Sequence, residues 1–420
     1  MNRLEKIDRK NIWHPFSPLA KSHPVFIKKA RGLYLYTQDG RKIMDVISSW
    51  WVNIHGHSHP KISRAIKKQV SNLEQVIFAG FTHEPAIRLS KLLLRLLPGQ
   101  SRMFFSDDGS TSTEVALKLA IQYWHNQGIH RKKIIAIEGA YHGDTFGAMS
   151  LGGENTFTLP FVDYLFDVKF LPFPEGDGEN TINRMKELAS DDVAAFIFEP
   201  LVQGAAGMRM YSPRVLDSLL EIAGNNEIIC IADEVMTGFG RTGKIFASDH
   251  LKHQPDIFCL SKGLTGGFLP MGITTMNKKI VDAFDDQEKE KAFFHGHSYT
   301  ANPMACAAAL ASTKLLLKRS CLRSIKRISK RHEKYIRNFS SHPSVNDVRS
   351  TGTILAIELK ASDAGYTSKI KDKIYDHFLN KGILLRPLGN VIYMIPPYVI
   401  TDSELTKVYD EMDRFISELL

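Results

Sequence analysis

Apolar residues between about positions 100 and 275 recur in two alternating patterns. Short apolar runs predict buried strands, and longer stretches with apolar residues three and four positions apart predict helices. The predicted strands are residues 103–106, 133–137, 194–198, 228–232 and 257–260, and the clearest helices are 112–124 and 213–223. This alternation favours an α/β fold with a mostly parallel central sheet that helices cover on both faces.

The two ends of the chain have a different pattern. Residues 24–47 contain two strand-like runs and the turn pair Asp39-Gly40, which predicts a hairpin. After residue 345, predicted strands at 352–358 and 391–395 mix with predicted helices at 367–380 and 402–418. We therefore predict that residues 1–52 and 319–420 join into a smaller α+β domain beside a large domain at residues 53–318.

Composition fits an ordinary globular protein. The chain has 420 residues, of which 43% are hydrophobic and 24% charged. Its first fifteen residues contain no apolar core of secretory length, and no run approaches the roughly 20 apolar residues that span a bilayer. We therefore expect a cytoplasmic protein without a membrane segment.

The formal charge of +9 raises the question of an anionic partner. Ten Lys and Arg residues lie between positions 314 and 337, but apolar residues share this stretch at helical spacing. The apolar positions are Leu315, Leu322, Ile325, Ile328 and Tyr335. We interpret the basic residues as the solvated face of an amphipathic helix, and no nucleic-acid motif accompanies them.

The cysteines and clustered histidines do not predict a metal site or a disulfide. Cys230 and Cys259 lie in strand-like runs, where a buried reduced thiol is the ordinary state, and the four cysteines form no CxxC pair. His55, His57 and His59 resemble a metal cluster, but no carboxylate ligand pattern accompanies them. We expect no metal.

Ligands in open α/β folds collect at the carboxyl ends of the strands. The run at 103–106 is followed by DDGST and a helix, which suits a phosphate, although a capped helix start is the alternative. The run at 133–137 is followed by EGAYHGDT, in which Tyr141 can stack on a flat cofactor and Asp144 adds a carboxylate. His142 alone is more typical of a structural histidine.

The next two strand ends carry a carboxylate and a lysine. Asp233 follows the run at 228–232; it can hold a proton on a heterocyclic nitrogen or, alternatively, cap a helix. Lys262 follows the run at 257–260 within Ser-Lys-Gly, where desolvation can turn a lysine into a Schiff-base nucleophile, although most lysines are solvated. GFGRTG resembles a dinucleotide fingerprint only loosely and lacks its strand–helix context. The order of these features favours Lys262 and Asp233 as partners in one site.

Five segments resemble motifs of the class III aminotransferases of fold type I, in the order expected of that family. They are DDGSTSTEVALKLA, YHGDTFGAMS, EPLVQGAAGM, IADEVMTGFGRTGKIFASDH…PDIFCLSKGLTGG and HGHSYTANPMACAAA. The resemblance implies a pyridoxal 5′-phosphate cofactor bound covalently by Lys262, with Asp233 on the ring nitrogen and Tyr141 at the ring. It also implies a homodimer with shared sites, in which Gly109 and Ser110 hold the phosphate from one subunit and His297 and Ser298 reach it from the other.

Further segments resemble the members of the family that serve biotin biosynthesis. They are IWHPF, SSWWVNIHGHSHP, VQGAAGMRMYSP and LLRPLGNVIYMIPPY. This resemblance implies transfer of an amino group to 8-amino-7-oxononanoate, with S-adenosylmethionine as the donor; lysine as donor, or a different ω-aminotransferase substrate, is the alternative. The substrate-contacting residues that it implies are Phe16, Trp50, Tyr141, Asp144, Lys262, Gly296 and Arg386.

Three positions depart from the pattern of these relatives. Phe16 stands in place of a tyrosine, Ser298 in place of a threonine and His297 in place of a proline. Trp50 and Trp51 predict a flat apolar wall for a long aliphatic substrate or an adenosine, with core packing as the alternative.

Overall fold

The computed structural model describes residues 3–21, 24–339, 342–361, 368 and 370–419. Its α-helices are α1 Arg3–Asn11, α2 Ser48–Trp51, α3 Pro60–Val70, α4 Glu84–Leu96, α5 Gly109–Asn126, α6 Phe146–Ser150, α7 Glu179–Leu188, α8 Pro213–Asn225, α9 Lys278–Asp282, α10 Pro303–Leu316, α11 Arg319–Ile336, α12 Ile370–Asn380 and α13 Asp402–Ser417. Its strands are β1 Ile27–Arg31, β2 Tyr34–Thr37, β3 Lys42–Asp45, β4 Gln100–Ser106, β5 Lys133–Ile137, β6 Lys169–Leu171, β7 Val193–Phe198, β8 Val202–Gln203, β9 Arg209–Met210, β10 Ile229–Asp233, β11 Ile257–Leu260, β12 Gly272–Asn277, β13 Val345–Thr351, β14 Ile354–Leu359, β15 Ile383–Leu384 and β16 Val391–Met394. Among these helices, none is both long and apolar enough to cross a membrane.

A seven-stranded sheet with the order β4-β12-β11-β10-β7-β5-β6 forms the centre of the molecule. Neighbouring strands pair in parallel except at β12, which is antiparallel to both β4 and β11. β7 and β10 are buried along their whole length, as expected for strands covered on both faces. The predicted α/β fold with a mostly parallel sheet is confirmed.

The two ends of the chain meet in a smaller sheet. It has the order β1-β2-β3-β15, so a strand from near residue 383 completes a sheet that begins near residue 27. The predicted hairpin at 24–47 is a three-stranded meander, because Gly32 makes a first turn before the Asp39-Gly40 turn. A separate sheet, β13-β14-β16, comes from the C-terminal segment alone. The domain bounds at 52 and 318 stay a prediction.

The basic stretch at 314–337 is mostly one amphipathic helix, α11. Its buried residues are Ile325, Ile328, His332 and Tyr335, and its Lys and Arg side chains lie on the other face. Leu315 belongs to the preceding helix α10, and Leu322 is 40% exposed. The buried face of α11 therefore begins at Ile325 and includes neither of these two predicted residues. The predicted helix at 367–380 begins at Ile370, and residue 367 lies outside the described residues.

Candidate active site

A cavity of about 670 Å³ lies where β4, β5, β7, β10 and β11 end, at the carboxyl edge of the central sheet. Its lining brings together nine of the residues predicted for the site from the sequence. They are Phe16, Trp50, Gly109, Ser110, Tyr141, Asp144, Asp233, Lys262 and Arg386. The volume falls in the range typical of sites for small molecules and cofactors.

Lys262 lines this cavity and lies two residues after Leu260, the last residue of β11. It begins a 3₁₀ turn, Lys262–Thr265, and its φ of +43° is unusual for a residue with a side chain. Its amine lies 4.7 Å from the centre of the Trp51 ring. Burial lowers the pKa of this amine, while the charges of Asp233 and Glu199 oppose that effect. An amine in this setting is a better nucleophile and base than a solvated lysine.

Asp233 is the last residue of β10 and is nearly inaccessible to solvent. Its Oδ2 lies 2.7 Å from His142 Nδ1, and its Oδ1 accepts the backbone N–H of Val235 at 3.0 Å. Each carboxylate oxygen has two lone pairs, so Asp233 can accept one more proton donor from a ligand in the cavity. His142 therefore fixes the carboxylate, which is consistent with the structural interpretation of this histidine.

The helix α5 presents an anion site at the cavity. Asp108 caps it through a capping box with Thr111, and its carbonyl also accepts the N–H of Ser112. Within the described residues, this leaves the N–H groups of Gly109 and Ser110 for a ligand at the positive end of the helix. Gly143 allows the loop after β5 to approach closely, since a Cβ there would lie 2.2 Å from Ser110 Oγ.

Tyr141 and Asp144 share the loop between β5 and α6. The Tyr141 hydroxyl is hydrogen-bonded to Asp144; burial raises the pKa of Tyr141 further than this carboxylate does. The backbone N–H of Tyr141 donates to Glu199 Oε1 at 3.0 Å. Glu199 also lines the cavity and was missed from the sequence, although it directly follows a predicted strand.

An aromatic wall closes the outer part of the cavity. Phe16 lies 5.4 Å from Trp50 and 5.9 Å from Phe157, measured between ring centres. The guanidinium carbon of Arg386 lies 5.1 Å from the centre of the Trp50 ring. Trp50 is 44% exposed, whereas Trp51 is buried and donates its indole N–H to the Tyr393 hydroxyl. Trp50 thus fits the predicted wall, while Trp51 combines wall and core packing.

Two residues that the sequence did not single out hold this wall in place. Asp45 is fully buried and accepts hydrogen bonds from the N–H groups of Ile47 and Ser49 and contacts His57 at 2.8 Å. Arg241, from GFGRTG, is also buried and donates to the carbonyl of Trp51 at 2.9 Å. These contacts stabilise a segment with positive φ at Ser48, Ser49 and Trp51, which costs energy by itself.

The clustered histidines have protein partners. His57 pairs with Asp45, His55 contacts the carbonyl of Ser312 at 2.9 Å, and His59 caps α3. In the part of the chain that the structure describes, no group of three or more His, Cys, Asp or Glu is suited to a metal.

Three predicted residues, Gly296, His297 and Ser298, are not among those lining the cavity. His297 Nδ1 lies 3.3 Å from Oδ2 of Asp107, a residue of its own chain in the loop between β4 and α5. The Ser298 carbonyl accepts a hydrogen bond from Gln75. Their predicted contact with a partner subunit's cofactor therefore stays a prediction.

The residues present fit pyridoxal 5′-phosphate. A lysine amine whose pKa is lowered by burial, a carboxylate for the ring nitrogen, an aromatic side chain and a helix N-terminus for phosphate converge in one cavity. The buried Nε2 of His142 has no partner among the described residues, which is consistent with a site completed by a ligand. Fold and site together define a pyridoxal-phosphate-dependent aminotransferase.

A family model described as "Aminotransferase class-III" matches residues 17–416, and the chain belongs to this family. The adenosylmethionine-8-amino-7-oxononanoate aminotransferase of Synechococcus elongatus is 47% identical to it, over 97% of this chain and 99% of the relative. The enzyme of the same name from Helicobacter pylori is 36% identical, over 99% and 98% of the two chains. The crystal structure of the Methanocaldococcus jannaschii enzyme of that name covers 99% of this chain and 98% of its own, with 36% identity and a TM-score of 0.94.

Proposed function

We propose that the protein transfers an amino group from S-adenosylmethionine to 8-amino-7-oxononanoate in biotin biosynthesis, giving 7,8-diaminononanoate. The relatives named above support both substrates, and the observation in the structure that carries the proposal is the set of side chains that line the cavity. Lys262 lines it together with Arg386 and the aromatic wall of Phe16, Trp50 and Phe157, and the exposure of Phe16 and Trp50 marks its outer end.

The chemistry at the two ends of the cavity fits this acceptor. The acceptor has a reactive ketone and a carboxylate separated by a long aliphatic chain. Arg386 is suited to the carboxylate through a bidentate charge-assisted contact. The rings of Trp50, Phe16 and Phe157 are suited to the chain, since apolar surface gains free energy when it leaves water. This arrangement directs the ketone towards Lys262.

Bound pyridoxal phosphate supplies a carbonyl that condenses with amines and a protonated ring that takes up electron density from the donor carbon. Lys262 would hold the cofactor through its amine, and the same amine is placed to move a proton between the donor carbon and the cofactor. Asp233, fixed by His142, would keep the ring nitrogen protonated, and Tyr141 would pack at the ring. The donor and acceptor use the cavity in turn, so a ping-pong cycle is expected.

We further propose that the active form is a homodimer with shared sites in the cytoplasm. Gly296, His297 and Ser298 would approach the phosphate from the partner subunit, and the serine hydroxyl can donate a hydrogen bond to it. Support comes from the family resemblance of HGHSYTANP and from the exposed apolar side chains near this segment, Phe294 and Tyr299.

The proposed function is tested by incubating the purified, cofactor-loaded protein with 8-amino-7-oxononanoate and either S-adenosylmethionine or lysine. The expected result is diamine formation with S-adenosylmethionine and little with lysine. Product with lysine alone would change the donor and keep the acceptor. Absence of the diamine with both donors would reject the biotin assignment in favour of another ω-aminotransferase substrate.

A further inference from the structure

A buried carboxylate with no assigned role lies beside the proposed catalytic lysine. Glu199 directly follows β7, is 5% exposed and lines the cavity with Asp233 and Lys262. Burying an ionisable group costs free energy unless it is well partnered. The hydrogen-bond partners of Glu199 indicate what its buried carboxylate contributes to the site.

Each oxygen of the Glu199 carboxylate binds a different loop. Oε1 accepts the backbone N–H of Tyr141 at 3.0 Å, and Oε2 accepts the backbone N–H of Gly204 at 2.9 Å. Its own carbonyl oxygen accepts the hydroxyl of Tyr211. A single side chain thus connects the loop that carries Tyr141 to the loop that begins at Gly204.

Tyr141 lines the cavity together with Lys262, and the Gly204 loop reaches the lysine through Trp51. Gly204 packs so closely on this tryptophan that a Cβ there would lie 3.1 Å from the Trp51 ring. The Lys262 amine lies 4.7 Å from the centre of the same ring. Displacement of Gly204 would therefore shift Trp51 and open space beside the lysine.

We propose that Glu199 is a positioning residue, whose carboxylate holds the Tyr141 and Gly204 loops in place and provides a negative charge facing Lys262. It acts through the lysine and the tyrosine and needs no contact with substrate. This inference rests on the proposed role of Lys262 as the cofactor-binding residue, but not on the proposed substrates.

The charge of Glu199 depends on pH in the physiological range. Burial raises its pKa to about 7, and His142, Asp233, Lys262, Tyr141 and Tyr211 are the ionisable groups that face it. The negative charge is thus present above about pH 7 and lost below it. Asp233 and Glu199 both stabilise a positive charge on the Lys262 nitrogen, and Glu199 contributes to this only while it is ionised.

Two substitutions separate the charge from the anchoring. Glu199→Gln keeps the shape but removes the charge, and it places an NH₂ group against one of the two backbone donors. Glu199→Asp keeps the charge but is one methylene shorter, so it cannot reach both loops. Glu234→Gln is the matched control: Glu234 is also buried, also has a pKa raised to about 7 and binds two backbone N–H groups, but does not line the cavity.

The readout is the visible absorbance of the cofactor bound to Lys262, titrated with pH in the loaded protein. Its midpoint reports proton binding at the lysine nitrogen. We expect Glu199→Gln to lower this midpoint by about one pH unit, because the stabilising anion is gone. Glu199→Asp should keep the midpoint but weaken cofactor binding about tenfold, because Tyr141 is no longer fixed.

A titration midpoint in Glu199→Gln equal to that of wild type and of Glu234→Gln would overturn the proposed charge effect. Cofactor affinity in Glu199→Asp equal to wild type would overturn the anchoring. If Glu199→Gln does not fold, the aspartate variant alone decides the anchoring through the cofactor dissociation constant. None of these measurements uses an amino donor or acceptor, so failure of the biotin assignment leaves them interpretable.

Discussion

Arg386 is the residue on which recognition of the acceptor depends most. It lies over Trp50 at the outer end of the cavity, where a substrate carboxylate would arrive. Removing a charge-assisted bidentate contact costs about 1.5–3 kcal/mol, so Arg386→Ala should raise the KM for 8-amino-7-oxononanoate about 10- to 100-fold. Cofactor affinity should be unchanged. Arg386→Lys keeps the charge without the planar guanidinium group, so its KM should lie between those of wild type and Arg386→Ala. Equal KM values in all three proteins would show that Arg386 does not bind the acceptor.

Glu234 gives a stability prediction that depends on pH. Its pKa of about 7 in the folded protein exceeds the ordinary value of 4.5, so the folded state binds a proton that the unfolded state releases. The contribution of Glu234 to the free energy of unfolding is therefore greatest below about pH 4.5 and is lost as the pH rises towards 7. Glu234→Gln has no proton to release in this range, so its free energy of unfolding lacks this pH dependence. Urea denaturation at several pH values should show the variant gaining stability relative to wild type between pH 5 and 8; a constant difference would contradict the raised pKa.

The sequence predicted the reacting residues better than the residues that position them. Lys262 and Asp233 were found because each lies at the carboxyl end of a buried strand, where ligands collect. Glu199 lies at a strand end in the same way and was missed, because its donors are the backbone N–H groups of Tyr141 and Gly204, which leave no residue pattern in the sequence. Asp45 was missed because it too accepts backbone N–H groups, and its pairing with His57 becomes visible only in the fold.

At the scale of elements, the turn between β13 and β14 connects the C-terminal sheet to the site. The N–H of Thr353 donates to the carbonyl of Arg241 at 2.8 Å, and Arg241 in turn binds Trp51. Gly352 has a φ of +57°, and a Cβ there would lie 2.2 Å from the backbone nitrogen of Gly243. This turn requires glycine both for its conformation and for the close approach.

Gly352→Ala should therefore destabilise the protein by about 3 kcal/mol, from backbone strain and overpacking together. Gly40→Ala is the matched control, since Gly40 also has positive φ, at +88°, but no atom lies within 4 Å of its Cβ position. It should cost only about 1 kcal/mol, which is the strain alone. Urea denaturation measures both values, and equal losses would mean that the contact with Gly243 contributes nothing.

The apolar runs located five strands of the central sheet to within three residues at either end. Four of these strands are buried along nearly their whole length, and in the fifth, β4, the residues that were missed include the exposed Ser101 and Arg102. β12 was not predicted, since Gly272–Asn277 contains two threonines and no continuous apolar run. Its antiparallel direction cannot be read from hydrophobicity, because burial on both faces gives a similar pattern in either direction.

At the scale of the whole molecule, the central question is whether two chains share each site. Mixed dimers of Lys262→Ala and Ser298→Asp subunits test this directly, because the aspartate would repel the cofactor phosphate. If Ser298 serves the partner's site, each mixed dimer has one intact site, and random mixing should restore about a quarter of wild-type activity. If each chain uses its own Ser298, the mixture should stay as inactive as its parents.

Dimerisation could be predicted only from family resemblance. The cavity in one chain already contains the lysine, the carboxylate, the tyrosine and the arginine, so its residues alone do not require a second copy. The segment of Gly296, His297 and Ser298 lies outside the cavity lining, and only its similarity to family motifs gives it a function.

The most direct test of the account follows the nitrogen atom. Cofactor-loaded protein receives unlabelled 8-amino-7-oxononanoate and S-adenosylmethionine with ¹⁵N in its amino group, and the diamine is examined by mass spectrometry. The account predicts a diamine that carries the label, and no diamine from Lys262→Ala. An unlabelled diamine would contradict the donor, and labelled diamine at wild-type rate from Lys262→Ala would contradict the role of the lysine.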